Sequence, residues 1–237
     1  IIMKHTLLIK DWLSSFLSLL FPRCCVVCGR PLAKGEECIC TVCNINLPRT
    51  NYHLRKDNPV ERLFWGQIPL ERATSFFFYE KGSDFRLILH RLKYGGQKEI
   101  GAIMGRYMAA ELLSSHFFQG IDVIIPIPLH KKKQQIRGYN QSEWIARGIA
   151  AVTGIPIDTE SILRKKNTET QTRKSVFERR DNVEGIFELQ HPETLAGKHI
   201  LIVDDVLTTG STTLACASCL VNVEGIRISI LTLATVE

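Results

Sequence analysis

Short apolar runs alternate along most of the chain with longer segments in which apolar residues recur every three or four positions. The compact apolar runs predict strands at residues 75–79, 122–127, 200–203 and 227–234. The segments with helical periodicity predict helices at residues 84–94, 99–116, 141–152 and 211–223. Because buried strands that alternate with helices are typical of parallel sheets, we expect an α/β domain with a parallel sheet flanked by helices.

Four segments depart from this alternation. Residues 155–163 are expected to form a further strand or a sheet edge, and residues 185–189 precede the strand at 200–203. The polar segment 165–182 is long for a connection, which indicates that it is either mobile or functional. Residues 4–21 place apolar side chains at helical spacing and predict an amphipathic helix. This helix is expected to dock on its own domain, with association at a membrane surface as the alternative.

Six of the eight cysteines lie between residues 24 and 43. A tetrahedral zinc site usually takes four thiolates from two C-x-x-C turns, and two pairs here have that spacing. We therefore predict that zinc is bound by Cys25, Cys28, Cys40 and Cys43. Cys24 and Cys38 are then bystanders. Disulfides are the alternative, disfavoured if the protein is cytoplasmic, where cysteines stay reduced.

Cys216 and Cys219 also match C-x-x-C, but they fall in the predicted helix after residue 210. That helix carries an apolar stripe, and small buried cysteines behave as hydrophobic residues. We predict that this pair contributes packing.

The length of 237 residues and the 45% share of hydrophobic residues fit one main domain with a small appendage. We predict an amphipathic helix at 1–21, a zinc-binding module at 22–48 and an α/β domain at 49–237. No apolar run is long enough to span a membrane, and the first residues lack the small-residue cleavage site of a signal peptide. We therefore expect a cytoplasmic protein, with peripheral association at the inner face of the membrane as the alternative.

The positive charge is concentrated in one segment. The whole chain has a formal net charge of +6, whereas residues 129–180 hold twelve Lys or Arg against five Asp or Glu, a surplus of seven. A local surplus of this kind indicates a polyanionic partner such as phosphate, pyrophosphate or nucleic acid. A solvated basic face is the alternative.

The most informative stretch is ILIVDDVLTTGSTT, residues 200–213. Asp204 and Asp205 are expected at the carboxyl end of a strand, where parallel sheets bind ligands. The loop that follows has Gly210 for close backbone approach and a set of hydroxyls, and it leads into a helix N-terminus that favours anions. A phosphate fits this loop. Because two carboxylates beside it would repel that phosphate, they need sugar hydroxyls or a metal ion as partners.

Other phosphate-binding motifs fit this stretch less well. A P-loop requires Gly-Lys-Ser/Thr, and a Rossmann fingerprint requires three spaced glycines. A receiver domain has paired aspartates near its start. An ordinary strand-to-helix turn accounts for the hydroxyls but leaves the adjacent acids unexplained.

The stretch VDDVLTTGST at 203–212 resembles the binding motif for 5-phosphoribosyl 1-pyrophosphate (PRPP) of type I phosphoribosyltransferases. Further segments resemble the ComF/GntX competence-protein branch: FWG (64–66), LKY (92–94), PIPLH (126–130), RGYNQ (137–141) and the stretch at 170–182. The N-terminal cysteine cluster resembles that branch as well. The resemblance covers nearly the whole chain.

The resemblance implies a type I phosphoribosyltransferase-like fold and assigns residues to its ligand. The ribose hydroxyls and the 5′-phosphate would be held by Asp204, Asp205, Leu207, Thr208, Thr209, Gly210, Ser211 and Thr212. Residues 126–133 would form the pyrophosphate loop, and the phosphates would be contacted by Lys131, Lys132, Lys133 and Arg137. Mg²⁺ would bind together with PRPP, since it prefers oxygen ligands. Residues 165–182 would form a loop that closes over the substrate.

Two functions follow from this resemblance. The first is a protein that binds PRPP or ribose 5-phosphate and handles single-stranded DNA during DNA uptake and natural transformation, together with proteins of the uptake machinery. The alternative is an active phosphoribosyltransferase that transfers the 5-phosphoribosyl group to a nitrogenous base and releases pyrophosphate. The sequence identifies no segment that would recognise a base, which favours the first function and leaves catalysis open.

Overall fold

The computed structural model describes residues 22–165 and 185–236. The predicted helix at 4–21 and the predicted substrate loop beyond residue 165 lie outside these ranges. The chain divides into two compact units, Ile1–Leu47 and Pro48–Glu237. No helix in the described ranges has the length and apolar character that a membrane crossing requires.

The smaller unit is built around cysteines. Within residues 22–47 it contains an isolated bridge between Cys24 and Pro31 and the short helix α1 (Thr41–Ile45). The backbone N–H of Val26 donates to the carbonyl of Cys38 over 2.8 Å and joins the two halves of the unit. Its buried hydrophobic residues include four cysteines: Cys25, Cys38, Cys40 and Cys43. Val26, Val27, Ile39 and Leu47 are buried beside them.

Four parallel strands form the main sheet of the larger unit. The strands of this unit are β1 (Leu70–Tyr79), β2 (Val123–Pro126), β3 (Ile162–Arg164), β4 (Phe187–Leu189), β5 (His199–Leu207) and β6 (Arg227–Val236). The main sheet has the order β1-β6-β5-β2, and every neighbouring pair in it is parallel. Strands β3 and β4 pair antiparallel in a separate sheet. The predicted parallel α/β fold is confirmed.

Helices flank this sheet. They are α2 (Pro59–Arg62), α3 (Arg86–Tyr94), α4 (Glu99–Leu112), α5 (Lys131–Arg137), α6 (Gln141–Thr153) and α7 (Ser211–Ser218). Short 3₁₀ turns lie at Tyr52–Leu54, Leu113–Ser115 and Pro192–Leu195. The start of α6 is capped by Asn140, whose side chain accepts from the N–H of Ser142, and its end is closed by Gly154 in the left-handed conformation.

Helices α4 and α6 approach each other closely through glycines. A methyl group added to Gly148 would lie 2.1 Å from the carbonyl oxygen of Ala102, and one added to Gly105 would lie 2.3 Å from that of Ile145. Only glycine fits at both positions. This contact fixes the position of α6, whose first turn faces the carboxyl edge of the sheet.

Four segments differ from the sequence-based expectation. Strand β5 continues past Asp204 and Asp205 to Leu207, because β6 pairs with it that far, from Asp204 with Thr232 to Leu207 with Thr235. Strand β2 stops pairing at Val203. The two acids therefore lie inside β5 but beyond the end of β2, because β5 extends further than its neighbour.

Helix α7 ends at Ser218, five residues before the predicted end. The N–H of Leu220 donates to the carbonyl of Ala217, and that of Val223 to Leu220, so bonds between residues three apart replace the α-helical pattern. Residues 155–163 contribute only the start of β3 and one bridge between Ile157 and Ile124.

Lys131, Lys132 and Lys133 lie in the first turn of α5, whereas the sequence analysis placed them in a loop. The side chain of His130 caps this helix by accepting from the N–H of Lys132, and Gly138 ends it with a φ of +82°. Residues 127–130 alone form the connection after β2.

Candidate functional site

The smaller unit brings four of its cysteines together. The sulfur atoms of Cys25, Cys28, Cys40 and Cys43 all lie within 4.8 Å of one another, and Sγ of Cys28 is 3.7 Å from Sγ of Cys40. A tetrahedron with zinc–sulfur bonds of about 2.3 Å separates its sulfurs by about 3.8 Å. The cluster is therefore compatible with a structural zinc ion, on the four residues that the spacing predicts.

The backbone around these thiols favours a thiolate at one of them. A hydrogen bond from the backbone at Arg30, followed by hydrogen bonds with the three neighbouring cysteines, lowers the pKa of Cys28 to about 6. The N–H of Cys40 donates to Sγ of Cys25 over 3.3 Å. Burial, followed by hydrogen bonds with the other cysteines, raises the pKa of Cys43, so the low pKa belongs to Cys28 alone of these two ligand candidates.

The two acids of the larger unit are held by side chains from two helices. Oδ1 of Asp204 accepts from the hydroxyl of Ser142 over 2.9 Å and from the N–H of Asp205 over 2.8 Å. Oδ2 of Asp205 lies 3.0 Å from the ammonium of Lys93 at the end of α3. Among the described residues these contacts occupy one oxygen of each carboxylate, which leaves Oδ2 of Asp204 and Oδ1 of Asp205 for a ligand.

Burial and mutual repulsion set the charge of this pair. Burial, followed by the neighbouring Asp205 carboxylate, raises the pKa of Asp204, while its hydrogen bonds and Lys93 oppose that rise. Burial by itself lowers the pKa of Lys93, but Asp205 and Asp204 together outweigh it, so the pKa of Lys93 is raised. Lys93 therefore stays protonated and compensates one negative charge. Asp204 takes up a proton at a higher pH than an ordinary aspartate does.

The loop after β5 presents backbone and hydroxyl donors. Gly210 begins α7 with a φ of +74°, and no side chain in the described ranges caps this helix start. The first N–H groups of α7 are therefore available to an anion. The hydroxyls of Thr209 and Ser211 lie 2.9 Å apart, and Thr208 and Thr212 are exposed. The ring of Phe64 packs against the loop, since a methyl group on Gly210 would lie 3.4 Å from it.

The residues that the sequence analysis assigned to pyrophosphate separate into two places. Lys131 lines a pocket of about 550 Å³ next to the end of β2, together with Asn140, Arg164 and Lys165. The guanidinium of Arg137 instead lies over the ring of Tyr94, 5.5 Å from its centre. Burial lowers the pKa of Arg164, and the negative charge of Asp204 acts against this.

Cys216 and Cys219 lie in the hydrophobic core or against it. Cys216 is fully buried, and Sγ of Cys219 donates to the carbonyl oxygen of Cys216 over 2.9 Å. Their position agrees with a packing role.

Two residues of the acid site were not assigned from the sequence. Ser142 and Lys93 both lie in or beside segments that carry the family resemblance, yet neither received a role. Lys93 had a detectable signal: it follows Leu89 by four residues and so shares its helix face, and Leu89 is buried. A lysine on a buried helix face requires an anionic partner.

Fold and site together define a class. A parallel sheet, an acid pair at its carboxyl edge and a hydroxyl-rich loop that enters a helix are the features expected of a phosphoribosyltransferase-type domain. Residues 141–236 match the phosphoribosyl transferase domain family.

Comparison with curated proteins narrows this class. The DNA utilization protein YhgH of Escherichia coli O157:H7 is 32% identical over 206 residues, which cover 81% of this chain and 87% of that protein. Competence protein F of Haemophilus influenzae is 32% identical over 130 residues, 53% of this chain and 57% of that protein. Competence protein ComFC of Bacillus subtilis is 26% identical over 214 residues, 88% and 82% respectively. The chain belongs to the ComF/GntX-type competence-protein family with a phosphoribosyltransferase domain.

Proposed function

We propose that the larger unit binds PRPP or ribose 5-phosphate at the acid pair and the loop at 207–212. The observation that carries this proposal is the arrangement around β5. Its two carboxylates are fixed in place by Ser142 and Lys93, and the uncapped start of α7 follows five residues later. Carboxylate oxygens accept hydrogen bonds from ribose hydroxyls, and the N–H groups of the helix start and the loop hydroxyls donate hydrogen bonds to a phosphate.

Mg²⁺ is proposed to bind together with the diphosphate of PRPP. The open oxygens of Asp204 and Asp205 are the donor type that Mg²⁺ prefers, and the ion usually keeps several waters. Bound there, it would neutralise the charge of the diphosphate. The basic residues around the pocket next to β2, Lys131 and Arg164 among them, would add to that neutralisation.

The smaller unit is proposed to hold one structural zinc ion on Cys25, Cys28, Cys40 and Cys43. Zinc sites of this kind supply folding free energy to units that lack a large core. A cytoplasmic location is also proposed, since cysteines stay reduced, and so able to bind zinc, in a reducing compartment.

The cellular role is proposed to be single-stranded DNA handling in DNA uptake and natural transformation. This rests on the names of the relatives, a DNA utilization protein and two competence proteins, and on the basic surplus at residues 129–180. DNA binding through charge should weaken with salt, with a log–log slope of about −0.7 for each phosphate contact. An affinity that does not change with salt would contradict this part of the proposal.

Catalytic transfer to a base is the alternative, and pyrophosphate release separates the two. Transfer needs a base nitrogen seated against C1 of PRPP, and a misplacement of about 1 Å can cost roughly a hundredfold in rate. We expect PRPP binding with little or no pyrophosphate release across a panel of common bases. Robust release with any one base would make the transferase the primary function.

Thermal unfolding tests the binding site itself. A ligand at about a hundred times its Kd stabilises by about 2.7 kcal/mol, which for a domain of this size raises Tm by about 5–10 °C. PRPP with Mg²⁺ should produce such a rise in the wild type. Asp205→Asn keeps the side-chain shape but removes the charge, so the rise should shrink. No rise for the wild type at millimolar PRPP would show that the site is wrongly assigned.

A further inference from the structure

Helix α5 is exposed and strongly basic. Counting the described residues only, none of its side chains is buried, and its sequence KKKQQIR holds four cations and no acid. Ile136 is 88% exposed. A helix with this composition presents positive charge next to apolar surface, which is the combination that a polyanion with apolar groups would contact.

A groove lies along α3. It has a volume of about 610 Å³ and is lined by α3 and the ends of β1, β5 and β6, with Lys93 and Thr208 among its lining residues. Tyr94 stands at its rim and is 72% exposed. The ring of His90 lies 5.3 Å from that of Tyr94, and Arg137 of α5 lies over the same ring. Arg137 therefore connects helix α5 with the groove through its contact with Tyr94.

The aromatic and basic groups of this surface favour an unpaired nucleobase as the ligand. An exposed aromatic ring backed by a guanidinium stacks on the flat face of a base, and flanking lysines contact the phosphates on either side. In a duplex the base faces are covered by their neighbours, so a single strand is the fitting partner. The groove volume lies within the range of about 300–1,000 Å³ that small-ligand sites have.

We propose that Tyr94 is a stacking site for an unpaired nucleobase, and that a single DNA strand lies with this base in the groove along α3 and its backbone on α5. This inference rests on the proposed role in single-stranded DNA handling and names the surface that performs it. The base would then lie at the border of the site proposed for PRPP, because Lys93 contacts Asp205 and lines the groove at once.

Two oligomers of equal length and charge test the stacking directly. An oligothymidylate offers phosphates and bases, whereas an abasic oligomer offers the phosphates only. Wild type should bind the oligothymidylate about tenfold or more tightly, the effect expected for one stacked base. Tyr94→Ala should remove that preference and leave the salt dependence unchanged, and Tyr94→Phe should retain it. Lys131→Ala with Lys132→Ala should weaken both oligomers alike and reduce the slope with salt.

The outcomes separate this inference from the function on which it rests. If wild type binds neither oligomer, the proposed DNA role fails. If it binds both equally, or if Tyr94→Ala keeps the preference, the stacking site fails while the DNA role stands. Titration with free thymine and thymidine forms a third arm of the experiment. Saturable binding of either one that is lost in Tyr94→Ala would show that the groove binds a free base, and would contradict the proposal that it binds a DNA strand.

Discussion

Gly210 offers a sharp test of how the loop after β5 binds phosphate. Its φ of +74° lies in the left-handed region, where a residue with a side chain costs about 1–2 kcal/mol. A methyl group at this position would reach the ring of Phe64 at 3.4 Å, an ordinary contact. The cost of Gly210→Ala therefore comes from the backbone, and the loop can relieve it only by turning its N–H groups away from their present directions.

Gly120 supplies a matched control. It has the same φ of +74°, no heavy atom within 4 Å of an added methyl group, and a position before β2, at the opposite edge of the sheet from Asp204. Both alanine variants should lower Tm by about 2–8 °C, as the strain alone requires. Only Gly210→Ala should also lose affinity for PRPP, by about tenfold or more, because hydrogen bonds to a charged phosphate contribute about 1.5–3 kcal/mol each.

The assay is calorimetric titration of both variants with PRPP and Mg²⁺ at a temperature where each is folded. Equal loss of Tm with affinity lost in Gly210→Ala alone would support the loop as the phosphate site. The reasoning is refuted if Gly210→Ala loses stability as Gly120→Ala does and yet binds PRPP like the wild type.

Three further predictions concern the metal, the acid pair and the helix packing. Cys40→Ser should lose zinc and destabilise the smaller unit, whereas Cys24→Ser should keep one zinc per chain; metal content of the purified variants decides between these results. Because the pKa of Asp204 is raised in the folded state, its ionisation costs stability as pH rises from about 4 towards neutral. Asp204→Asn should therefore gain stability relative to the wild type across that pH window, and denaturant unfolding that shows a constant difference would contradict this. Gly148→Ala should cost about 1–3 kcal/mol, since its methyl group would overlap the carbonyl of Ala102, and an unchanged Tm would refute the close packing.

The parallel sheet could be predicted because its strands are short apolar runs bounded by turn residues. The segments at 75–79, 200–203 and 227–234 fall in strands of the main sheet, and the segment at 122–127 contains β2. The zinc-type cluster could be predicted as well, since two C-x-x-C turns carry their geometry in their spacing. In both cases the signal is local in sequence.

What escaped prediction depends on contacts between distant segments. The length of β5 is set by its pairing with β6, and no local pattern shows that Asp205 continues a strand. The partner of Asp205 is Lys93, more than a hundred residues earlier. From the sequence alone, a ligand is expected to compensate both acids, whereas in the protein Lys93 compensates one of them. The family resemblance implies a loop at 126–133, whereas the side-chain cap at His130 begins helix α5 at Lys131.

Calorimetric titration of the wild-type protein with PRPP, with and without Mg²⁺, tests the central claim most directly. We expect saturable heat for one site per chain, tighter binding with Mg²⁺, and an affinity about tenfold or more weaker in Asp205→Asn. The absence of saturable heat at millimolar PRPP, or an affinity that Asp205→Asn leaves unchanged, would contradict it.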